Sequence, residues 1–381
     1  MSAKTVYYAS VGPALTLYDL DIDGAALSKR GTVTLPANIQ YAWPHPSRRF
    51  LYVVSSNGGP GIAGDKHYAS ALAIDPVTGS LSLHGAPAAL PSRPIHASVD
   101  ASGGYLLTAY NNPSGATVHR LNANGMIGAP VAQPGNLDVG IYAHQVLAMP
   151  GNRIVILVTR GNHAEAGKPE DPGALKTFTF KDGVLGNLAS IAPGNGLGFG
   201  PRHLDFHPTK PWAFVSIERQ NKIYVYGLDE AGLARDPMFI KDTLANPASP
   251  AAQGAGPIHV HPSGKFVYLT NRTFPASGAG SRKIAEGGEN TVVTFAIDGK
   301  TGAPKRLQNI EGHGVQLRTF GIDPGGRMLA VASIMPLTDG SLPAGIMTYR
   351  IGGDGKLTFV RKYAVDVGNA QQFWSGMVTL P

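Results

Sequence analysis

Two sets of residues stand at fixed distances from a recurring turn. Six residues before it come Gln40, Ile95, His144, Arg202, Gly256 and Arg318, and ten residues after it come Ser56, Asn111, Arg160, Glu218, Arg272 and Ile334. Arginine at positions 160, 202, 272 and 318 suits the capture of an anion, because the planar guanidinium matches carboxylate or phosphate oxygens in pairs and stays charged. Glu218 and His144 suit proton transfer: a carboxylate among cations stays ionised, and an imidazole titrates near neutral pH. His203 adjoins Arg202 and His96 falls one residue past the same register, so both are expected to border the site, as is Gln40. A solvated strand end holds arginine without any function, and Glu218 has a plain structural role open to it as partner of Arg202 or Arg272. Such a concentration at matched positions, in a chain with only 15% charged residues, favours a pocket that binds an anion and moves a proton.

These positions converge only if the segments carrying them are equivalent parts of one repeat. The turns fall at Pro46, Ala101, Pro150, Pro208, Pro262 and Pro324, spaced by 49 to 62 residues. Around them, segments 40–56, 95–111, 144–160, 202–218, 256–272 and 318–334 each read as an apolar strand, a turn and a second apolar strand. Two further strand-like runs follow each pair, as at 72–74 and 81–83. Four strands in about fifty residues make one blade of a β-propeller. The run 373–380 resembles a first strand without a second, and 5–9 a second strand without a first. Together they complete a seventh blade and close the ring, which removes the open sheet edges. The expected fold is therefore all-β, a single seven-bladed propeller of four-stranded antiparallel blades over residues 1–381. In such a ring the first strand of each blade lines the channel and the second returns beside it, so both registers reach one mouth.

Composition agrees with this and excludes other classes. At 381 residues with 49 Gly and 30 Pro, the chain is long for one core, whereas repeats add a small core each. With no cysteine there is no disulfide, thiolate metal site or cysteine nucleophile. The net charge of +7 comes without any basic run longer than two residues, which argues for small anions and against nucleic acid. No apolar stretch approaches the ~18 residues that span a bilayer, and no leader precedes the run at 5–9, so a cytoplasmic protein, independent of membranes, is expected. His45, His207 and His261 each precede a turn and are read as stabilising it. His259 and His261 have the spacing of same-face ligands but lack a third, so no metal or cofactor is expected. P-loop, G-x-G-x-x-G and G-x-S-x-G motifs are missing.

The runs Gly200-Pro-Arg-His-Leu-Asp-Phe-His-Pro208, His259-Val-His-Pro-Ser-Gly-Lys-Phe-Val-Tyr-Leu-Thr-Asn-Arg272 and Arg318-Thr-Phe-Gly-Ile-Asp-Pro-Gly-Gly326 resemble the lactonase family of seven-bladed propellers. That family includes bacterial propeller-type 6-phosphogluconolactonase and the fungal 3-carboxy-cis,cis-muconate lactonizing enzyme. The likeness runs over nearly the whole chain. It implies a metal-independent site of one His, two Arg and one Glu, matching His144, Arg202, Arg272 and Glu218. The chain departs from the short bacterial lactonases in extra residues at 58–68, 161–173, 275–290 and 335–344, all expected on the rim that carries the site, with room for a bulkier lactone.

The expected activity is metal-independent hydrolysis of an anionic or sugar-derived lactone, by a protein expected to be monomeric. Catalysis falls to His144, Glu218, Arg202 and Arg272, and substrate contact to His203, Arg160, Arg318, His96 and Gln40. The alternatives are the ring-forming reaction of a carboxymuconate-type cycloisomerase and a propeller that only binds a partner.

Overall fold

The computed structural model describes residues 4–274, 288–337 and 341–381. Seven antiparallel sheets stand around a central channel. Their innermost strands are Asn38–Pro44, Pro94–Val99, Ala143–Ala148, Pro201–Phe206, Gln253–Val260, Val315–Ile322 and Ser375–Thr379, which number the blades one to seven. Each is followed outward by the second, third and outermost strands. In blades one and four the outermost strand is broken into two short pieces that pair the same neighbour. The seventh blade takes its inner strand from the C-terminal end of the chain and its other three from the N-terminal end, with Thr5 opposite Thr379 and Ala9 opposite Ser375.

The second strands are apolar at nearly every position because both of their faces are covered. In blade three, Val155 and Leu157 face blade two, where they meet Leu107 and Val118. Ile154, Ile156 and Val158 face blade four and meet Val215 and Tyr226. The period-two alternation of a strand thus feeds two cores at once. The same arrangement recurs round the ring, to Val6 and Tyr8 of the seventh blade against Leu51 and Val53 of the first.

On the face away from the two registers, consecutive blades are bolted together by histidines. His207 Nε2 lies 3.0 Å from the Gly264 carbonyl of the next blade, while its Nδ1 accepts the N–H groups of Thr209 and Lys210 in its own turn. His45 reaches Gly103 and His261 reaches Gly326 in the same way. These are the three histidines read as turn-stabilising, and they also join blades. Gly264 has φ +70°, and a Cβ there would lie 2.5 Å from the His207 ring, so the glycine is what lets the ring approach. On the other face, the connections between second and third strands in blades one and three hold the insertions at 58–68 and 161–173, and the insertions of blades five and six fall between the same two strands in chain order. Residues 275–287 and 338–340 of the last two lie outside the described residues.

Replacing His207 with Ala removes the bond between blades and both turn bonds. At about 0.5–1.5 kcal/mol each, with some solvent compensation, a loss of ~1–3 kcal/mol is expected. Urea unfolding at pH 7 measures it, and His261→Ala should behave alike.

Candidate active site at one mouth of the channel

The position six residues before the turn turns out to be structurally special. In the inner strand of blade one, Ile39 pairs with Ser55 and Tyr41 with Val54, leaving Gln40 as an extra residue. His144, Arg202 and Arg318 are extra in the same sense in blades three, four and six. Ile95 is the unpaired residue of blade two, and in blade five Gly256 and Pro257 together face Thr270. A bulge adds one residue to a strand and re-aims its side chain. Here it turns a side chain into the channel in blade after blade. Gly256 contributes none, because a Cβ there would lie 2.1 Å from Thr270 Oγ1.

The second register delivers the partners. Glu218 follows the last residue of its strand and opens a short 3-10 turn, Arg160 directly follows its strand, and Arg272 lies within its own. The Glu218 carboxylate is bound by Arg272 through Oε1, lies 4.0 Å from Arg202 Nε, and is 3.8 Å from Arg160 through Oε2. Arg202 is 1% exposed, Arg272 4% and Glu218 5%, so solvated strand ends do not explain them. The Nε and Nη1 atoms of Arg202, Nε of Arg272 and Oε2 of Glu218 are buried without a hydrogen-bond partner among the described residues. Buried donors left unpaired are costly, which makes them prepared contacts for an acceptor.

Electrostatics follow from this crowding. Burial drives the Glu218 carboxyl upward, but Arg272, Arg202, Arg160 and Arg318 more than offset it and hold it below the ordinary carboxylate value. Burial and Arg272 push Arg202 well down. Burial, Arg272 and Arg93 bring Arg318 to about 9. The near-neutral titration expected of His144 is not found: burial, then Arg202, Arg318, Arg160 and Arg272, hold it well below the usual histidine range, so it is neutral at pH 7. Its Nδ1 has no partner among the described residues.

The remaining expected residues divide. His203 packs edge-on to His144 at 5.1 Å. His96 stands one residue past its bulge, as His203 does: fully buried, it lies 4.0 Å from the Tyr41 ring and 5.8 Å from the rings of both Trp43 and His203. Gln40 accepts the Arg93 Nε–H at 3.0 Å. His259 pairs with Asp205 at 3.4 Å on the wall of a cavity of about 300 Å³ at the opposite mouth, among Trp43, Phe320 and Trp374. His261 points elsewhere, to Gly326. Among the described residues no three His, Asp or Glu side chains are grouped to hold a metal, and no helix is long and apolar enough to cross a membrane.

Sequence reasoning missed Arg93, Tyr142 and Phe373. Arg160 stacks on Tyr142 at 3.9 Å, and Arg318 on Phe373 at 3.6 Å. Tyr142 stands two residues before the bulge and has φ +59°, as Gly200 (+53°) and Gln316 (+55°) do at the same offset. The glycine in Gly200-Pro-Arg-His marks that offset, and Arg93 shares it. The 161–173 insertion is fastened beside the site: its Glu170 pairs with Arg219, next to Glu218, and accepts the Gly198 N–H at 2.6 Å.

The family described as "Lactonase, 7-bladed beta-propeller" matches residues 5–335. A 6-phosphogluconolactonase of Yersinia pestis is 26% identical over 374 residues, with 96% of each chain covered. One of Bacillus subtilis is 24% identical over 311 residues, covering 81% of this chain and 80% of its own. A solved Pseudomonas aeruginosa periplasmic gluconolactonase superposes with a TM-score of 0.74 over 99% of both chains at 20% identity, a likeness of fold.

His96, His144 and His203 are all held below the ordinary histidine value, with burial the first cause in each. Unfolding lets them take up protons near pH 6.5, so their stabilising contribution is complete above that pH and is lost as pH falls below it. Denaturant unfolding from pH 8 to 5 should show this decline, with a shallower slope for His203→Gln.

Proposed function

The chain belongs to the lactonase family of seven-bladed β-propellers, and we propose that it hydrolyses the ring ester of an anionic sugar lactone. The observation that carries this reading is the set of buried, unsatisfied guanidinium donors around one carboxylate. The lactone carbonyl oxygen takes the free N–H groups of Arg202, supported by Arg272. As water adds to that carbon, the developing oxyanion meets positive charge already in place, so little reorganisation accompanies the step.

Neutral His144 accepts a proton from the attacking water, and the imidazolium returns it to the ring oxygen as the C–O bond breaks. The product is an open-chain hydroxy acid, which ionises to the aldonate. Among four arginines His144 alone is a weak base. A bound anion offsets their charge and raises its proton affinity, which ties proton transfer to occupancy of the site. Glu218, held by Arg272 and close to Arg202, positions the two guanidiniums and remains ionised to balance them.

Relatives named 6-phosphogluconolactonase support hydrolysis over the ring-forming reaction that the same arginines would serve with a polycarboxylate. Burial of the charged groups inside the channel fits chemistry better than a surface that only docks a partner. A monomer in the cytoplasm completes the reading, and gel filtration and cell fractionation test it.

With 6-phosphogluconolactone as substrate, Arg202→Ala should lower kcat by about 10²–10³-fold, in line with removal of an oxyanion donor. His144→Gln should lower kcat by ~10²–10⁴-fold, and the wild-type acid limb of kcat/KM should lie below pH 6.5 and vanish with it. Stopped or pH-stat assays measure both, and unchanged turnover in either variant removes this assignment.

A further inference from the structure

Arg93 has no role in the reaction just described, yet it is one of the most deeply buried charges in the chain, at 6% exposure. Its Nε–H is bound to Gln40, and no bond is made by its two terminal nitrogens among the described residues. Its guanidinium lies 5.7 Å from the centre of the Phe373 ring, and that of Arg318 lies 3.6 Å from the same ring. Phe373 is fixed from behind by Ile95 and Ile334, the two apolar members of the registers. Neither arginine has a carboxylate within ion-pair distance among the described residues.

Two guanidiniums sharing one ring repel each other; the ring's cation–π attraction, about 0.5–2 kcal/mol for each, is the closest favourable contact of Arg318 among the described residues, with Glu218 attracting it from farther off. Gln40 secures Arg93 by Nε alone, leaving free the edge of the fork that carries both terminal nitrogens, the edge that takes an oxyanion in pairs. Phe373 and Gln40, though neither arginine, also line a neighbouring cavity of about 290 Å³.

From this geometry we infer that Arg93 and Arg318, spaced by Phe373, form a second anion subsite that takes an oxyanion at the far end of the lactone from its reacting carbonyl. The subsite rests on the lactonase reading for its substrate but not for its anion. Arg318 links the two centres, since it is within electrostatic reach of both Arg272 and Arg93. A lactone with a phosphate or carboxylate at its exocyclic carbon carries its charge at the far end, while the oxyanion develops at the carbonyl as water adds. Arg93 then acts as a specificity-determining residue: it rewards the distal charge and leaves the bond-breaking step to Arg202 and His144.

The test has a binding arm and a kinetic arm. Inorganic phosphate is titrated calorimetrically into wild-type protein, Arg93→Lys, Arg93→Gln and Arg202→Lys. Wild type is expected to bind phosphate, with affinity at least tenfold weaker in Arg93→Gln and partly restored in Arg93→Lys. No binding by wild type, or a loss confined to Arg202→Lys, overturns the subsite. In the kinetic arm, the kcat/KM ratio of 6-phosphogluconolactone to uncharged gluconolactone should fall at least tenfold in Arg93→Gln, mostly through KM, and a glucarolactone shows whether a carboxylate is accepted as well. Equal loss on all substrates overturns it. Should wild type hydrolyse none of them yet bind phosphate through Arg93, the lactonase reading fails and the anion subsite stands; circular dichroism of each variant shows that it is folded.

Discussion

Guanidinium groups repel one another, and water normally screens them. In this channel Arg160, Arg202, Arg272 and Arg318 are gathered with a single carboxylate, Glu218, and the two most central of them are almost wholly dehydrated. No single sheet would hold such a set, because each arginine could swing outward to solvent. Seven sheets closed on themselves leave no such exit. The four arginines come from four successive blades, with Glu218 on the same blade as Arg202, and the apolar faces between blades fix their separation. The cores between blades therefore hold the charged groups in the geometry on which anion capture depends.

The inner strands solve a second problem. A regular strand sends alternate side chains to opposite sides, toward the neighbouring blades, whereas a site needs them to point along the channel. One surplus residue in the inner strand of each of blades one to six supplies that direction, and Gln40, His144, Arg202 and Arg318 all occupy it. This is why counting from the turn found the cluster: the bulge sits at a constant distance from the turn, so its occupant is legible even though the bulge itself is not. Ring closure is legible for a related reason, since a first strand near one end of the chain and a blade lacking its first strand near the other complete each other.

What remained hidden depends on the contacts between blades. Arg93 and Tyr142 lie two residues before the bulge, where the chain is turning onto the strand, and apolar patterning carries no information there. Phe373 was read only as part of a closing strand. Its stacking with two arginines from other blades follows from three-dimensional packing alone. His96, one residue past the bulge as His203 is, packs on Tyr41 and against His203, contacts that the register alone does not give. His144 was expected near its ordinary titration range, but the arginines that the same register brought together displace it.

The pairing of residues 5–9 with 375–379 has a consequence for how the protein is made. During synthesis the strand Thr5–Val11 waits without its inner partner until residues 375–379 have been made. A nascent chain can stack six blades and still be an open arc with two raw edges. Without residues 375–379 the inner edge of Thr5–Val11 stays unpaired, and their arrival covers that edge and turns the arc into a ring.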